Sequence, residues 1–446
     1  MTDTTAPAAS SASAAPSAST AMPSVASAVP LHRNWRFQTL WIGSTAALTG
    51  VFATDIAYPL VILAITGSPA VAGLFGFVQA AATVLCGLPA GQAVDRFDRR
   101  TVQVTAEAVR VLATASVALS FALGAVTPVQ LMVVGALVGA AQPFVGAARM
   151  LTVRSVVAPE QLTAALTQDE IRGSVAELAG PPLGGLLYGL SRLLPFGFSA
   201  VAFALSLLSA LVIRTDRGVH ADRGDRADRG DAAGSTAPRG DRRAEPDGGL
   251  FAGILALWRD RTLRAVVVLL FFLNAAGAPL GLAAVFRLTR EGAPSWSVGL
   301  ALTGSAVGGL AGAGLVRTLH RRFRPGVLLL AVVGSEVLLV LLLGLVTGPW
   351  AVALVLFGTM LGVPSISVLL DVLIFRQVPD EVRGRTLTSV MTMMGLGVPL
   401  GTGGLGLLLQ YAGGTGALMV LAAVLACGTA WAAMQPGLRS ARWPAA

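Results

Sequence analysis

The chain has 446 residues, 54% of them hydrophobic and 12% charged, with a formal net charge of +9. Soluble domains carry about 25% charged residues, so lipid must cover much of this surface, and a water-soluble enzyme or binding domain is excluded. The basic residues are all arginine, the three histidines are scattered, and Cys86 and Cys427 lie in apolar stretches without disulfide or metal spacing. No Ser-His-Asp order, metal cluster or phosphate-binding loop occurs, so no enzyme chemistry and no cofactor are expected.

Residues 1–30 are almost wholly Ala, Ser, Thr and Pro and read as a disordered tail. They lack the basic start and Leu-rich stretch of a signal peptide. A hydrocarbon core of roughly 30 Å needs about 20 apolar residues per helix. Six candidates follow the tail, at 38–65, 70–93, 103–125, 128–148, 165–190 and 195–213. Residues 214–250 break the pattern with alternating Asp, Arg and Gly, which cannot form a core and read as a disordered linker on the cytoplasmic side. Leu250 to Trp258 suit a helix lying on the membrane surface. Six more candidates come at 262–287, 296–317, 326–346, 349–372, 386–410 and 415–433, and residues 437–446 form a short cytoplasmic tail. The expected fold is therefore all-α and membrane-integral, with twelve spans in two six-helix bundles at 31–213 and 251–436.

Arginine placement supports the count. With the N-terminus inside, all of the 32 basic residues except Arg192, Arg287 and Arg290 fall on the cytoplasmic side. That is the positive-inside pattern, with both termini in the cytoplasm of a plasma-membrane protein. It accounts for the net charge without nucleic acid as a partner. The seven tryptophans, Trp35, Trp41, Trp258, Trp296, Trp350, Trp431 and Trp443, fall at or beyond span ends, where an amphipathic ring meets the interface.

The two halves repeat. Gly180-Pro181-Pro182-Leu183-Gly184 in span five answers Gly397-Val398-Pro399-Leu400-Gly401 in span eleven. Val157-Ala158-Pro159-Glu160 answers Val378-Pro379-Asp380-Glu381, Pro143 answers Pro364, and the arginines after span two answer Arg321-Arg322. Six spans per half give both halves the same orientation. The repeat is parallel, with its pseudo-twofold axis along the membrane normal.

Between spans two and three stands Gly91-Gln92-Ala93-Val94-Asp95-Arg96-Phe97-Asp98-Arg99-Arg100. This run resembles the Gly-x-x-x-Asp-Arg-x-Gly-Arg-Arg loop signature of the major facilitator superfamily. Asp98 replaces a Gly common there, as in the drug:proton antiporter branch of the macrolide-efflux and enterobactin-exporter type. Asn34, Phe37, Asp55 and Thr66-Gly67-Ser68 are similar to the same branch. Gly180-Pro181-Pro182-Leu183-Gly184-Gly185 resembles the antiporter motif of span five. The resemblance covers roughly residues 31–436. It implies the major facilitator fold and export of an amphipathic small molecule (drug, antibiotic or siderophore) in exchange for protons, by a monomer. Span four departs from the branch in lacking a mid-membrane Arg. An uptake transporter, and a scaffold or sensor without transport, are the alternatives.

The resemblance implies that Gly91, Asp95, Arg96, Arg99 and Arg100 form an intracellular latch, with Asp95 capping span eleven near Arg385-Thr386. The competing reading is a stop-transfer charge cluster. Glu177 lies near the middle of span five, where a lipid-facing carboxylate is costly, so it should face a cavity. Asp55 in span one is its expected partner, and the two are the candidates for proton coupling. Apolar surroundings disfavour an ionised carboxyl group, which suits loading and release of a proton. Glu107 and Arg110, three apart in span three, read as an intrahelical pair. Glu336 in span nine has no evident role, and Asp371 reads as structural.

Overall fold

The computed structural model describes residues 30–213, 261–377 and 380–435, with side chains throughout these except at 261–263 and 371–389. The tails, the linker, the surface helix at 250–258, Trp258, Trp443 and the Val378-Pro379 turn lie outside the described residues, as do the side chains of Asp371 and Arg385. The first bundle comprises α1 (Trp35–Thr66), α2 (Pro69–Arg96), α3 (Arg99–Ala122), α4 (Pro128–Val156), α5 (Leu162–Leu190) and α6 (Leu194–Val212). In the second, span seven is broken into α7 (Arg261–Gly277) and α8 (Leu280–Arg290). Spans eight and nine are α9 (Ser295–Arg322) and α10 (Pro325–Leu343). Span ten is α11 (Pro349–Leu361) followed by α12 (Val363–Gln377), and α13 (Asp380–Tyr411) and α14 (Gly413–Ala433) complete the bundle. Among the described residues there is no strand.

Eleven described segments are long and apolar enough to cross a membrane. The twelfth span is α5, 29 residues long. Asp169, Glu170, Arg172 and Glu177 dilute its apolar content. It packs against α1 in its own bundle and α9 in the other, with Arg172 buried, Asp169 half-buried, and Glu170 and Glu177 exposed.

The turns follow from local chemistry. Gly67 ends α1 with φ 63°, a left-handed conformation that favours glycine, and the Ser68 side chain then accepts from the Val71 amide to start α2. Spans nine and ten are separated by a turn at Gly348, φ 80°, with Pro349 opening α11. Asp98, the departure from the loop signature, caps α3 by accepting from the Thr101 amide at 3.2 Å and hydroxyl at 3.0 Å. Asn34 caps α1 and donates to the Val156 carbonyl at the end of α4 at 2.8 Å. Phe37 seals that corner against Leu31, Val153, Val157 and Ala165.

The pairing of helices repeats between bundles. α1 packs on α5 and α6 as α7 packs on α13 and α14, and α2 packs on α4 as α9 packs on α11. The bundles meet along two symmetric seams, α2 with α13 and α5 with α9. Backbone touches backbone there. A Cβ on Gly73 would sit 2.5 Å from the Gly406 Cα, and a Cβ on Gly185 would overlap the Ser295 carbonyl and lie 3.1 Å from the Gly299 Cα. Ser68 and Gln410 add a hydrogen bond across the first seam at 2.9 Å. All these contacts lie at the end of the molecule away from the arginine-rich loops. The α2 seam continues inward to Val84 beside Gly395 and then parts, leaving Leu85, Leu88, Gly91, Asp95 and Arg96 exposed. The molecule is thus closed at one end and split at the arginine-rich end.

Small residues let helices approach where no hydrophobic drive operates between them. Gly406→Leu should therefore abolish transport while membrane insertion persists. Gly404→Leu, two residues away with no neighbour within 4 Å, should transport as the parent does. Substrate flux in vesicles, normalised to protein in the membrane, checks both.

Candidate functional site: a cavity between the bundles

A cavity of about 550 Å³ lies between the two bundles. Span one supplies Phe52, Asp55 and Pro59, span two Phe75, Gln79 and Thr83, and span four Gln142. Pro181 enters from α5, and the second bundle adds Pro279, Leu282, Val398 and Thr402. The walls are mainly apolar, and Asp55 is the one charged residue among those lining it. Gln79 donates to the Asp55 carboxylate at 3.4 Å, and Thr83 donates to the Gly139 carbonyl at 3.0 Å. The Gln142 side-chain oxygen is buried without a partner. A polar ligand group entering here meets one carboxylate and a few amides and hydroxyls, with hydrophobic surface around them. That suits an amphipathic molecule of drug size.

Asp55 lies on the cavity wall, as expected of span one. Glu177 is exposed but does not line this cavity. Gly180 lies against Phe52 and Gly184 against Ala53 where α5 crosses α1. Glu177 is a turn before that crossing and Asp55 a turn beyond it. The two carboxylates are thus separated by roughly 10 Å along the axis at 1.5 Å per residue. The two carboxylates thus stand at different depths, with Glu177 nearer the arginine-rich end.

The Gly-Pro run of span five divides its labour. Gly180 and Gly184 admit α1, Gly185 meets the other bundle, and Pro181 faces both the cavity and Gly299. In the loop motif, Asp95, Arg96 and Arg99 are exposed and make no ion pair among the described residues, and Gly91 has open space around it. Arg100 donates to the carbonyls of Ala210 at 3.2 Å and Leu211 at 2.5 Å. Its charge satisfies and neutralises the C-terminus of α6 within its own bundle.

Glu107 and Arg110 do pair, at 3.3 Å and fully buried. The pair is tied to α6: Ser206 donates to Glu107 at 2.6 Å, and the guanidinium lies 4.0 Å from the Phe203 ring centre. Sequence reasoning missed a second cluster. Asp169 on α5 bonds Arg149 from α4 and Arg172 at 2.9 Å, and Arg172 reaches the Ser44 carbonyl of α1 at 3.2 Å. Ending span four at 148 hid Arg149, which α4 carries inside the helix because it runs to Val156. Gln79 and Thr83, four apart on an apolar span, were the legible signal for the cavity face. Gln142 and Thr402 gave none.

Comparison with known proteins agrees with this architecture. Residues 40–402 match the sequence model of the Major Facilitator Superfamily. The multidrug efflux pump Tap of Mycobacterium tuberculosis (strain ATCC 25618 / H37Rv) is 26% identical over 281 residues, 60% of this chain and 61% of Tap. Tap of Mycobacterium bovis (strain BCG / Pasteur 1173P2) matches equally. The match thus spans about three fifths of the length of these relatives. A bacterial homologue of the human lysosomal transporter Spinster, solved in an inward-facing and unoccupied conformation, superposes with a TM-score of 0.69 at 15% identity, covering 93% of this chain and 99% of that one. The nucleoside transporter NupG superposes with a TM-score of 0.68 at 14% identity, covering 90% and 98%.

Removing one partner of a buried ion pair typically costs about 3–5 kcal/mol, because the other charge is stranded. Arg110→Leu should therefore lower the thermal midpoint of the purified protein sharply. Replacing Glu107 and Arg110 together with Met should restore most of it. Thermal unfolding in detergent measures both.

Proposed function

The chain belongs to the Major Facilitator Superfamily, and from that premise we propose that it exports amphipathic small molecules in exchange for protons, by alternating access. The observation that carries the reading is the central cavity, apolar except for Asp55 and a few amides and hydroxyls, between two bundles closed at one end. The naming of Tap as a multidrug efflux pump supports the direction.

By the positive-inside rule the arginine-rich, split end faces the cytoplasm, with both termini there, and the membrane is the plasma membrane. Substrate enters the split from inside. The bundles then rock about their seams until the cytoplasmic end closes and the other opens. Asp95 closes that end by capping the N-terminus of α13, with Arg96 and Arg99 around it, while Gly91 gives the loop room. The exposure of Asp95 suits a latch that is open in this conformation. A monomer suffices, because one chain encloses the whole cavity.

Protons travel through the two carboxylates in series. Asp55 loads from the outer side when the cavity opens there, and substrate competes with that proton at the wall. Glu177, nearer the cytoplasmic end, receives the proton and releases it inside. Neutral, ligand-free carboxyl groups cross the closed state more readily than charged ones, because apolar surroundings disfavour ions.

In proteoliposomes with an imposed pH gradient, Glu177→Gln and Asp55→Asn should each reduce uphill substrate movement at least tenfold while membrane insertion stays normal. Wild-type rates in both variants would refute this coupling route.

A further inference from the structure

The C-terminal bundle contains a second cavity, of about 380 Å³, bordered by α7, α10, α11, α12 and α13. Its walls carry Met360, Met391 and Met394 among leucine and isoleucine side chains. Glu336 of α10 points into it. That residue is 3% exposed, and one of its carboxyl oxygens has no hydrogen-bond partner. The contrast with the first bundle is direct. There the buried carboxylate of span three has Arg110 one turn away and Ser206 opposite. Glu336 has no arginine within a turn on its own helix, and no Arg or His lines its cavity among the described residues.

A second feature adds negative potential at the same spot. Span seven breaks at Ala278-Pro279, so α7 ends at Gly277, the negative end of its dipole, with no basic residue in its last turn. A Cβ at Gly277 would lie 3.8 Å from a Glu336 oxygen. A helix C-terminus and a carboxylate thus converge at one place in a low-dielectric interior. Broken spans lend their ends to ligands in this way. Ala278, in the break, borders both this cavity and the central one, so the two adjoin through the interruption of span seven.

We infer that the C-terminal bundle holds a second ligand pocket, which takes an amphipathic organic cation, an amine or quaternary ammonium, with its charge against Glu336. The volume falls within the range of small-molecule sites. Methionine walls are polarizable and adapt to irregular apolar groups. A metal ion fits poorly. Calcium takes six to eight oxygens, whereas among the described residues this pocket offers one carboxylate, the Asn274 amide, and hydroxyls of Thr359 and Ser367 that already donate to backbone carbonyls. The organic cation fills the apolar walls and neutralises the carboxylate together.

The test is equilibrium binding of radiolabelled tetraphenylphosphonium to the full chain in lipid nanodiscs, without any transport step. Glu336→Gln should weaken binding at least tenfold, and Glu336→Asp should recover part of it. Met391→Trp, which fills the pocket and leaves the carboxylate in place, should also weaken binding and guards against misfolding of the first variant. Unchanged affinity in Glu336→Gln overturns the inference. If that variant keeps its affinity but loses proton-driven flux, Glu336 carries protons and the pocket binds no cation.

Discussion

Two glycine seams govern this molecule. Gly73 against Gly406 and Gly185 against Gly299 bring the backbones of the two bundles into contact at one end, and no side chain fits between them. Because the bundles repeat, the seams are equivalent, and each is formed by a helix of one bundle and a helix of the other. Small residues make such a contact close: across the first seam Thr402 packs on Gly76 and Phe77 on Gly403, and Ser68 hydrogen-bonds Gln410. A close contact between small residues suits a hinge between rigid bodies. The central cavity exists because the seams hold the far end shut while the arginine-rich end parts.

Rigidity within each bundle comes from polar groups that cannot be exposed to lipid. In the first bundle the buried charges pair with one another. Glu107 and Arg110 lock α3 to α6, Asp169 gathers Arg149 and Arg172 to join α4 and α5, and Arg172 reaches α1. Asp98 and Arg100 fix the ends of α3 and α6. The second bundle is held differently. Its span seven is broken, and its buried Glu336 has an oxygen without a partner. One bundle is a braced body, and the other keeps a buried carboxylate with an unpartnered oxygen. The two halves of the repeat thus share a fold and differ in chemistry.

Most of the fold was legible because hydrocarbon imposes one simple demand, about 20 apolar residues per crossing. The twelve spans, the parallel repeat and the turn at Gly348 follow from it. The break in span seven was not legible. Gly277-Ala278-Pro279 sits in a continuous apolar run, and Pro59, Pro89 and Pro399 lie inside helices that continue through them. Asp55 was placed on the cavity wall by its span. The offset of Glu177 was invisible, since it depends on where α5 crosses α1. Gln142 and Arg149 were hidden for opposite reasons: one is an isolated amide in an apolar helix, and the other falls just past a boundary set by hydropathy.

The central claim is that the two bundles exchange openings about the glycine seams. Spin labels at Phe97 and Arg324 report the arginine-rich end, and labels at Leu123 and Leu345 report the far end; all four positions are exposed. With Cys86 and Cys427 replaced by Ser, pulsed electron resonance gives both distances in lipid as the pH is lowered. The account predicts reciprocal change, with the first distance shortening in the population where the second lengthens. Distances that stay fixed under every condition, or that lengthen together, would contradict it.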